Sequence, residues 1–529
     1  MSWLGLDVGT SGCKAAAFAA DGSRLGYAYR AYATIHPAPG RVELDSAAVL
    51  VHCQAVVAEA AQAASQAGSP VRALAVSSQG EAFTPIDGAG RPLANAMVSS
   101  DTRAAGIVAA WADRRERLYA VTGHTAHPLF SLFKLLWLRR HAPEVYARAA
   151  AFLCFEDLVH RQLGVEPAMG WSLAGRTMLF DVRRGTWDEA LLADVGLKPS
   201  RLARPLPPGA LVGVVPRTEA AAWGLPPEVR VVAAGHDQTV AALGAGVVRP
   251  GMAMYATGTV ECVVPVFAQP VFTPALRDAN LCTYAAALPG AWATVAFSLT
   301  GGNLLRWFRD ELGGVEAAQP DAYERLLQLA DRAPSELLVL PYFTASGTPY
   351  FDANTPGAVL GLRLTTTRGE LLRGLLEGVA LEMRLNLDLL AEAGVVIDAL
   401  RATGGGARSA VWNQLKADVL GRPLTTVAES EAGCLGAAAL AAAADLGGGP
   451  GEVATAWVRP GRTFHPDPAR AAAYEQRFAQ YRGLYPVLRD LQRAATPSAE
   501  KSATAQCTDD AADIGGGRGN RTSKPLGAA

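Results

Sequence analysis

Apolar and polar positions along the chain fall into one pattern that occurs twice. Residues 3–8 are an apolar run that stops at Gly9-Thr10-Ser11-Gly12, and residues 13–19 return from that turn. Ala20-Asp21-Gly22 then leads into a third run over 24–31. A D-G signal between apolar runs predicts an antiparallel meander. Val49, Leu50, Cys53, Val56, Val57 and Ala60 recur at helical spacing, so 46–67 is predicted as a helix on that sheet. Pro70 ends it, and strands are predicted at 71–76 and 96–98. An amphipathic helix over 130–140 turns Leu132, Phe133, Leu136 and Trp137 to the core. Residues 151–230 read as an insertion of helix, hairpin and loop, irregular around Pro205, Pro207 and Pro208.

The plan then repeats. An apolar strand over 252–256 meets the turn Thr257-Gly258-Thr259 and returns over 260–266. Thr367 and Glu370 have capping-box spacing and open a helix to about residue 393, with Leu371, Leu375, Val379, Met383 and Leu387 on one stripe and Gly394 beyond its end. A strand at 400–403, the triplet Gly404-Gly405-Gly406, a helix over 409–420 closed by Gly421, and a final helix over 431–446 complete the reading.

A chain of 529 residues is too long for one core. Two domains are expected, 1–246 and 247–494, followed by a small, polar, disordered tail over 495–529 with no assigned function. Lys+Arg 48 against Asp+Glu 49 leaves a net charge of -1, which argues against nucleic acid or an anionic membrane as the main partner and for a small substrate. The seven cysteines include no C-x-x-C and suggest neither a disulfide framework nor a zinc site. There is no basic leader, and the most apolar segment, 434–446, is too short to span a bilayer, so a cytoplasmic protein is expected. The oligomeric state stays open, with a homodimer as one option.

Candidate chemistry gathers at strand ends. Asp237 follows the 229–232 run in the glycine-hinged turn Gly235-His236-Asp237, where an α/β enzyme presents a base to a cleft and where Asp can equally cap the next helix. Thr10 and Ser11 lie in a turn whose backbone N–H groups can nest an oxyanion, with Asp7 placed to hold magnesium; an ordinary hairpin is the alternative. Gln79, Glu81, Asp101 and Arg103 form a polar cluster that is either a site for vicinal hydroxyls or an exposed loop. Gly258 and Thr259 repeat the first turn. Gly405 and Gly406, between a strand and a helix, offer bare backbone to a nucleotide, and no Walker-type P-loop occurs.

Leu6-Asp7-Val8-Gly9-Thr10-Ser11-Gly12, Gly235-His236-Asp237, Thr257-Gly258-Thr259, Gly404-Gly405-Gly406-Ala407-Arg408-Ser409 and Glu431-Ala432-Gly433-Cys434-Leu435-Gly436 together resemble the FGGY carbohydrate kinases, in that family's order and over residues 1–490. Gly357 to Leu362 with Glu370 and Glu377 resembles its C-terminal signature, from which Gly374 and Leu375 depart. The resemblance implies an α/β fold of two duplicated ribonuclease-H-like domains of the actin/hexokinase type flanking a central cleft. It also implies ATP with Mg2+ and phosphoryl transfer to a hydroxyl of a sugar or polyol. It makes Asp237 the base, Asp7 the magnesium-associated carboxylate, and Thr10, Ser11, Gly258 and Thr259 the phosphate turns. Gly405, Gly406 and Ser409 become the adenosine wall, with Gly302 a further candidate, and Gln79, Glu81, Asp101 and Asp237 the substrate side.

The pattern is most similar to xylulokinases, but Gln79-Gly80-Glu81 is mixed, Ser99-Ser100-Asp101 lacks their tryptophan, and no arginine precedes Glu81. A ketopentose such as xylulose is therefore the default substrate, with erythritol-, gluconate- or glycerol-type kinases as alternatives. Outside the kinases stand an actin-like ATPase and a degenerate sugar-binding module. Asp237 is expected to be an unperturbed carboxylate of pKa roughly 4, ionised at neutral pH.

Overall fold

A computed structural model describes residues 1–331, 333–352 and 354–495. The predicted tail over 495–529 lies almost wholly outside these residues. Residues 1–482 make one compact unit and 483–495 belong to another; everything below concerns the first.

Two sheets carry the fold. The first has the order Leu211–Val214, Arg230–His236, Val71–Ser78, Ser2–Val8, Gly12–Phe18, Arg24–Ala31. Its three central strands run parallel, and the hairpin Ser2–Val8/Gly12–Phe18 is antiparallel. The second sheet repeats this plan. Met252–Thr257 and Glu261–Phe267 form the antiparallel hairpin, and Ala399–Thr403 and Leu424–Val427 add parallel strands beside it. Each sheet thus has a hairpin whose turn opens at the same edge where its parallel strands end. The register puts Asp7, Ser77 and Gly235 in one row, and Val8, Ser78 and His236 in the next. Ligands bind outside the carboxyl ends of parallel strands, and Asp237 is the first residue past that edge.

Most predicted elements stand within two residues of their expected ends. Ser46–Gln66 is the predicted helix, its first turn capped by Asp45 accepting from Ala47 and Ala48 N–H. Among the described residues it is the one helix long and apolar enough to cross a membrane. Here it covers the strands Gly12–Phe18 and Arg24–Ala31. Arg368–Glu392 is buried on nearly every side from Leu372 to Leu387, not along one stripe. Of its expected capping box only the Thr367 half forms.

One expectation needs correction. The 431–446 helix is not the last element: Pro450–Trp457, the strand Pro460–Phe464 and Pro468–Arg482 follow. The alanine-rich composition of Ala432–Leu446 has a packing reason, since the helix lies across the first sheet, not the second. A Cβ on Gly5 would meet the Cys434 carbonyl oxygen at 1.9 Å, and one on Gly436 the Val240 oxygen at the same distance. Backbones this close admit only small side chains.

Candidate active site

The two hairpin turns are exposed, with Thr10, Ser11, Gly258 and Thr259 all open to solvent. The first is braced from below. Gln79 donates from its amide to the Gly9 carbonyl (3.0 Å) and accepts from Thr10 Oγ1 (3.1 Å), while the Tyr32 hydroxyl donates to the same carbonyl (2.7 Å). Both ends of the Gln79 carboxamide are thus used by the turn.

Asp7 accepts from Ser77 Oγ (2.9 Å) and lies 3.6 Å from Lys14 Nζ, which also pairs with Glu431 (2.8 Å). Burial raises the Asp7 pKa, and Lys14 and Ser77 act against it. A Cβ on Gly433 would meet Asp7 Oδ2 at 2.5 Å, so the helix from the second half of the chain rests on this carboxylate by bare backbone. Lys14 was missed in the sequence, although hairpin register sets it directly opposite Asp7.

The second turn carries a nucleotide-sized hollow. A cavity of about 760 Å³ is lined by Thr257, Gly258, Gly302, Gly405, Gly406, Ser409, Tyr323, Leu327 and Trp412 among others. Five residues expected to hold the cofactor converge here. Gly302 N–H donates to the Gly258 carbonyl (3.0 Å), and a Cβ on Gly302 would strike that oxygen at 2.4 Å. A Cβ on Gly406 would meet Thr257 Cγ2 at 2.2 Å. Gly404 needs its glycine, with φ 83° and Thr257 O 2.6 Å from the missing Cβ. The Ser409 hydroxyl caps the following helix by accepting from Trp412 N–H (3.2 Å). Tyr323, Leu327 and Trp412 had no motif to announce them. Under this wall Lys416 is fully buried, paired with Glu261 (2.8 Å) and bonded to Thr257 Oγ1, over the rings of Tyr255 and Trp412.

The substrate-side candidates divide. Glu81, in the left-handed region at φ 65°, accepts from Ser99 Oγ (2.6 Å) and is salt-bridged by Arg176, whose guanidinium lies over the Phe130 ring. An arginine therefore does stand on Glu81, delivered from the helix Trp171–Arg176 instead of the preceding position. Asp101 has no exposed side-chain surface. It accepts from Val42 N–H (2.7 Å) and pairs with Arg103, which also binds Glu43. That places Asp101 in an ion network under the loop, with both carboxylate oxygens engaged. His124 and His236, which the sequence reading did not assign to the substrate side, stand beside Arg176 and Tyr284.

Asp237 keeps 24% of its side chain open and is the first residue of the helix Asp237–Gly244, whose N-cap is His236, so Asp237 is not that helix's capping residue. Its carboxyl is pushed up to about 8, first by burial and then by the charges of Asp7 and Glu81. The expectation of an unperturbed carboxylate is therefore overturned: three acids share one end of the sheet, and a sequence does not show their spacing. Gln238, next to it, accepts from the Cys262 thiol (3.0 Å) on the second hairpin. Asp237 thus lies within electrostatic reach of Asp7 and of Glu81, and its neighbour Gln238 touches the second hairpin.

A duplicated ribonuclease-H-like fold, with a glycine-walled cavity at the second hairpin and a partly open carboxylate at the ends of the first sheet's parallel strands, suits a two-lobed phosphotransferase. Residues 2–244 match the family model "FGGY family of carbohydrate kinases, N-terminal domain", and residues 253–444 match its C-terminal counterpart. The chain belongs to the FGGY family and is an ATP-dependent carbohydrate kinase. It is 31% identical to a glycerol kinase of Methylibium petroleiphilum, over 89% of this chain and 96% of that one. It is 26% identical to a gluconokinase of Bacillus licheniformis, over 83% and 86% of the two chains. The crystal structure of a xylulose kinase from Rhodospirillum rubrum superposes with a TM-score of 0.84 at 29% identity, covering 93% and 99%.

Proposed function

We propose that this kinase transfers the γ-phosphoryl group of ATP, as its magnesium complex, to a primary hydroxyl of a small neutral sugar or polyol, a ketopentose such as xylulose first, and does so in the cytoplasm. The observation that carries this reading is the place of Asp237, partly open at the carboxyl ends of the parallel strands and within electrostatic reach of Asp7 and Glu81. Asp237 takes the proton of the attacking hydroxyl, and the N–H groups of the two turns receive the phosphate oxygens. Glu81 and Arg176 offer an acceptor and donors to neighbouring hydroxyls.

Magnesium fits this site. It is commonly held by one or two carboxylates plus substrate phosphates. Asp7 is one such carboxylate, and among the described residues no group of three or more His, Cys, Asp or Glu forms a protein-only cage. When bound, the ion neutralises phosphate charge, and the charge that burial disfavours on Asp7 gains a cationic partner.

A glycerol-type substrate is the second reading, favoured by the Arg176–Glu81 pair and the glycerol kinase relative. ADP release measured with xylulose, ribulose, erythritol, glycerol and gluconate separates them. The expected result is turnover that requires a sugar and is greatest with a ketopentose. Release independent of every acceptor defeats the proposal, and preference for glycerol moves it to the second reading.

A further inference from the structure

His236 is wedged beside the base. Its Nε2 lies 3.3 Å from Asp237 Oδ1, and its Nδ1 lies 2.9 Å from the Tyr284 hydroxyl. Ser172 Oγ accepts from its backbone N–H (2.9 Å). A Cβ on Gly80 would come within 3.1 Å of the ring, which fixes its plane from the other side. Tyr284 is fully buried on the short strand Tyr284–Ala285, at the edge of the second sheet.

The ring is neutral, because burial, Arg176 and His124 drive its pKa well below the usual value. A neutral imidazole has one donor and one acceptor nitrogen. If Nδ1 carried the proton, the buried Tyr284 hydroxyl would lose the acceptor it has in His236, at the cost of an unmet donor. The hydroxyl therefore donates to Nδ1, and the ring proton sits on Nε2, toward Asp237. At 3.3 Å that contact is longer than a full hydrogen bond, as bonds to catalytic groups often are before substrate binds.

We propose that His236 and Tyr284 are positioning residues for Asp237: the Tyr284 hydroxyl selects the His236 tautomer whose Nε2–H orients and stabilises the carboxylate of the base. This rests on Asp237 being that base. It also makes the base answer to the second sheet, since the hydroxyl setting its donor comes from there. The charged and titratable groups facing His236, Tyr284 and Asp237 are Asp7, Glu81, His124, Arg176, Cys262 and Cys282.

Two amide substitutions separate the nitrogens. In His236→Gln the side-chain NH2 can take the place of Nε2, whereas in His236→Asn the amide reaches only the Nδ1 position. Losing one hydrogen bond to a charged group corresponds to about tenfold in rate. His236→Asn is therefore expected to lower kcat about tenfold or more with the sugar KM within about twofold, and His236→Gln to stay within about threefold of the parent. Tyr284→Phe, which removes only a hydroxyl, should lower kcat in the same way and move the rising limb of the pH profile upward by up to about one unit. Equal activity of the Asn and Gln variants, or a Tyr284→Phe profile that does not move, overturns the proposal. Asp237→Asn run alongside keeps the two ideas apart. If it retains turnover the base assignment fails; if it is inactive while the His236 and Tyr284 variants match the parent, only the positioning role fails.

Discussion

The base should be only partly ionised in the cell's pH range, and activity should show it. Asp237 is raised from the ordinary 3.8 to about 8, with burial first among the causes and Asp7 and Glu81 next. Transfer needs the carboxylate form, so kcat/KM for the sugar should climb about tenfold per pH unit below 8 and level off above it. At pH 7 about a tenth of the molecules carry the ionised base. The measurement is ADP release at low sugar across roughly pH 6 to 9.5. A profile flat over that range, or a limb near pH 5, would refute the account of Asp237's surroundings.

Stability should run the opposite way. The folded state holds a proton on Asp237 that the unfolded chain gives up near pH 4, so folding loses stability as pH rises from about 4 to about 8 and is level beyond. At roughly 1.4 kcal/mol per unit the ceiling is near 6 kcal/mol, and solvent reaching a quarter of the side chain cuts this to about 2 kcal/mol. Asp237→Asn, which carries no charge, should therefore match the parent's melting temperature near pH 4 and exceed it near pH 9, while losing most turnover. A variant less stable than the parent at pH 9 would show that the carboxylate is stabilised where it sits, contrary to the shift.

Three further outcomes follow from particular contacts. Glu81→Ala should raise the sugar KM and leave the ATP KM nearly unchanged, since Glu81 belongs to the Ser99–Arg176 cluster and not to either phosphate turn; steady-state kinetics with each substrate varied would test it. Gly406→Val should weaken ATP binding at least about tenfold, read by calorimetric titration with a non-hydrolysable analogue, because even a Cβ meets Thr257 Cγ2 at 2.2 Å in the wall of the cavity. Lys416→Met should cost about 3–5 kcal/mol in denaturant unfolding, because it leaves Glu261 buried without its cation.

The fold was legible because its signals are local. Two apolar hairpins with Gly/Thr turns, the helix spacing of 46–67 and the glycine triplet each declare themselves within a few residues, and each stands where expected. The cavity wall at Gly302, Gly405 and Gly406 was legible for the same reason, since glycine is the residue a close approach demands. The substrate side was not. Arg176 lies 95 positions from Glu81, and Tyr284 lies 48 from His236, so only the folded chain pairs them. The same holds for charge: Asp7, Glu81 and Asp237 look like separate turn acids until the sheet aligns the ends of their strands.

The alanine-rich helix Ala432–Leu446 explains why the two repeats act as one site. It belongs to the second half by position, yet it packs on the first sheet with backbone almost touching backbone at Gly5, Gly244 and Gly436. Its first turn brings Gly433 onto Asp7, and Glu431, just before it, holds the Lys14 that also faces Asp7. In the other direction the first half offers Gln238 to Cys262 and His236 to Tyr284 in the second. Around Asp7 and His236 the first lobe is thus met by segments from beyond residue 247. The surroundings of Asp7 and of the Asp237 neighbours His236 and Gln238 are therefore completed by both halves of the chain.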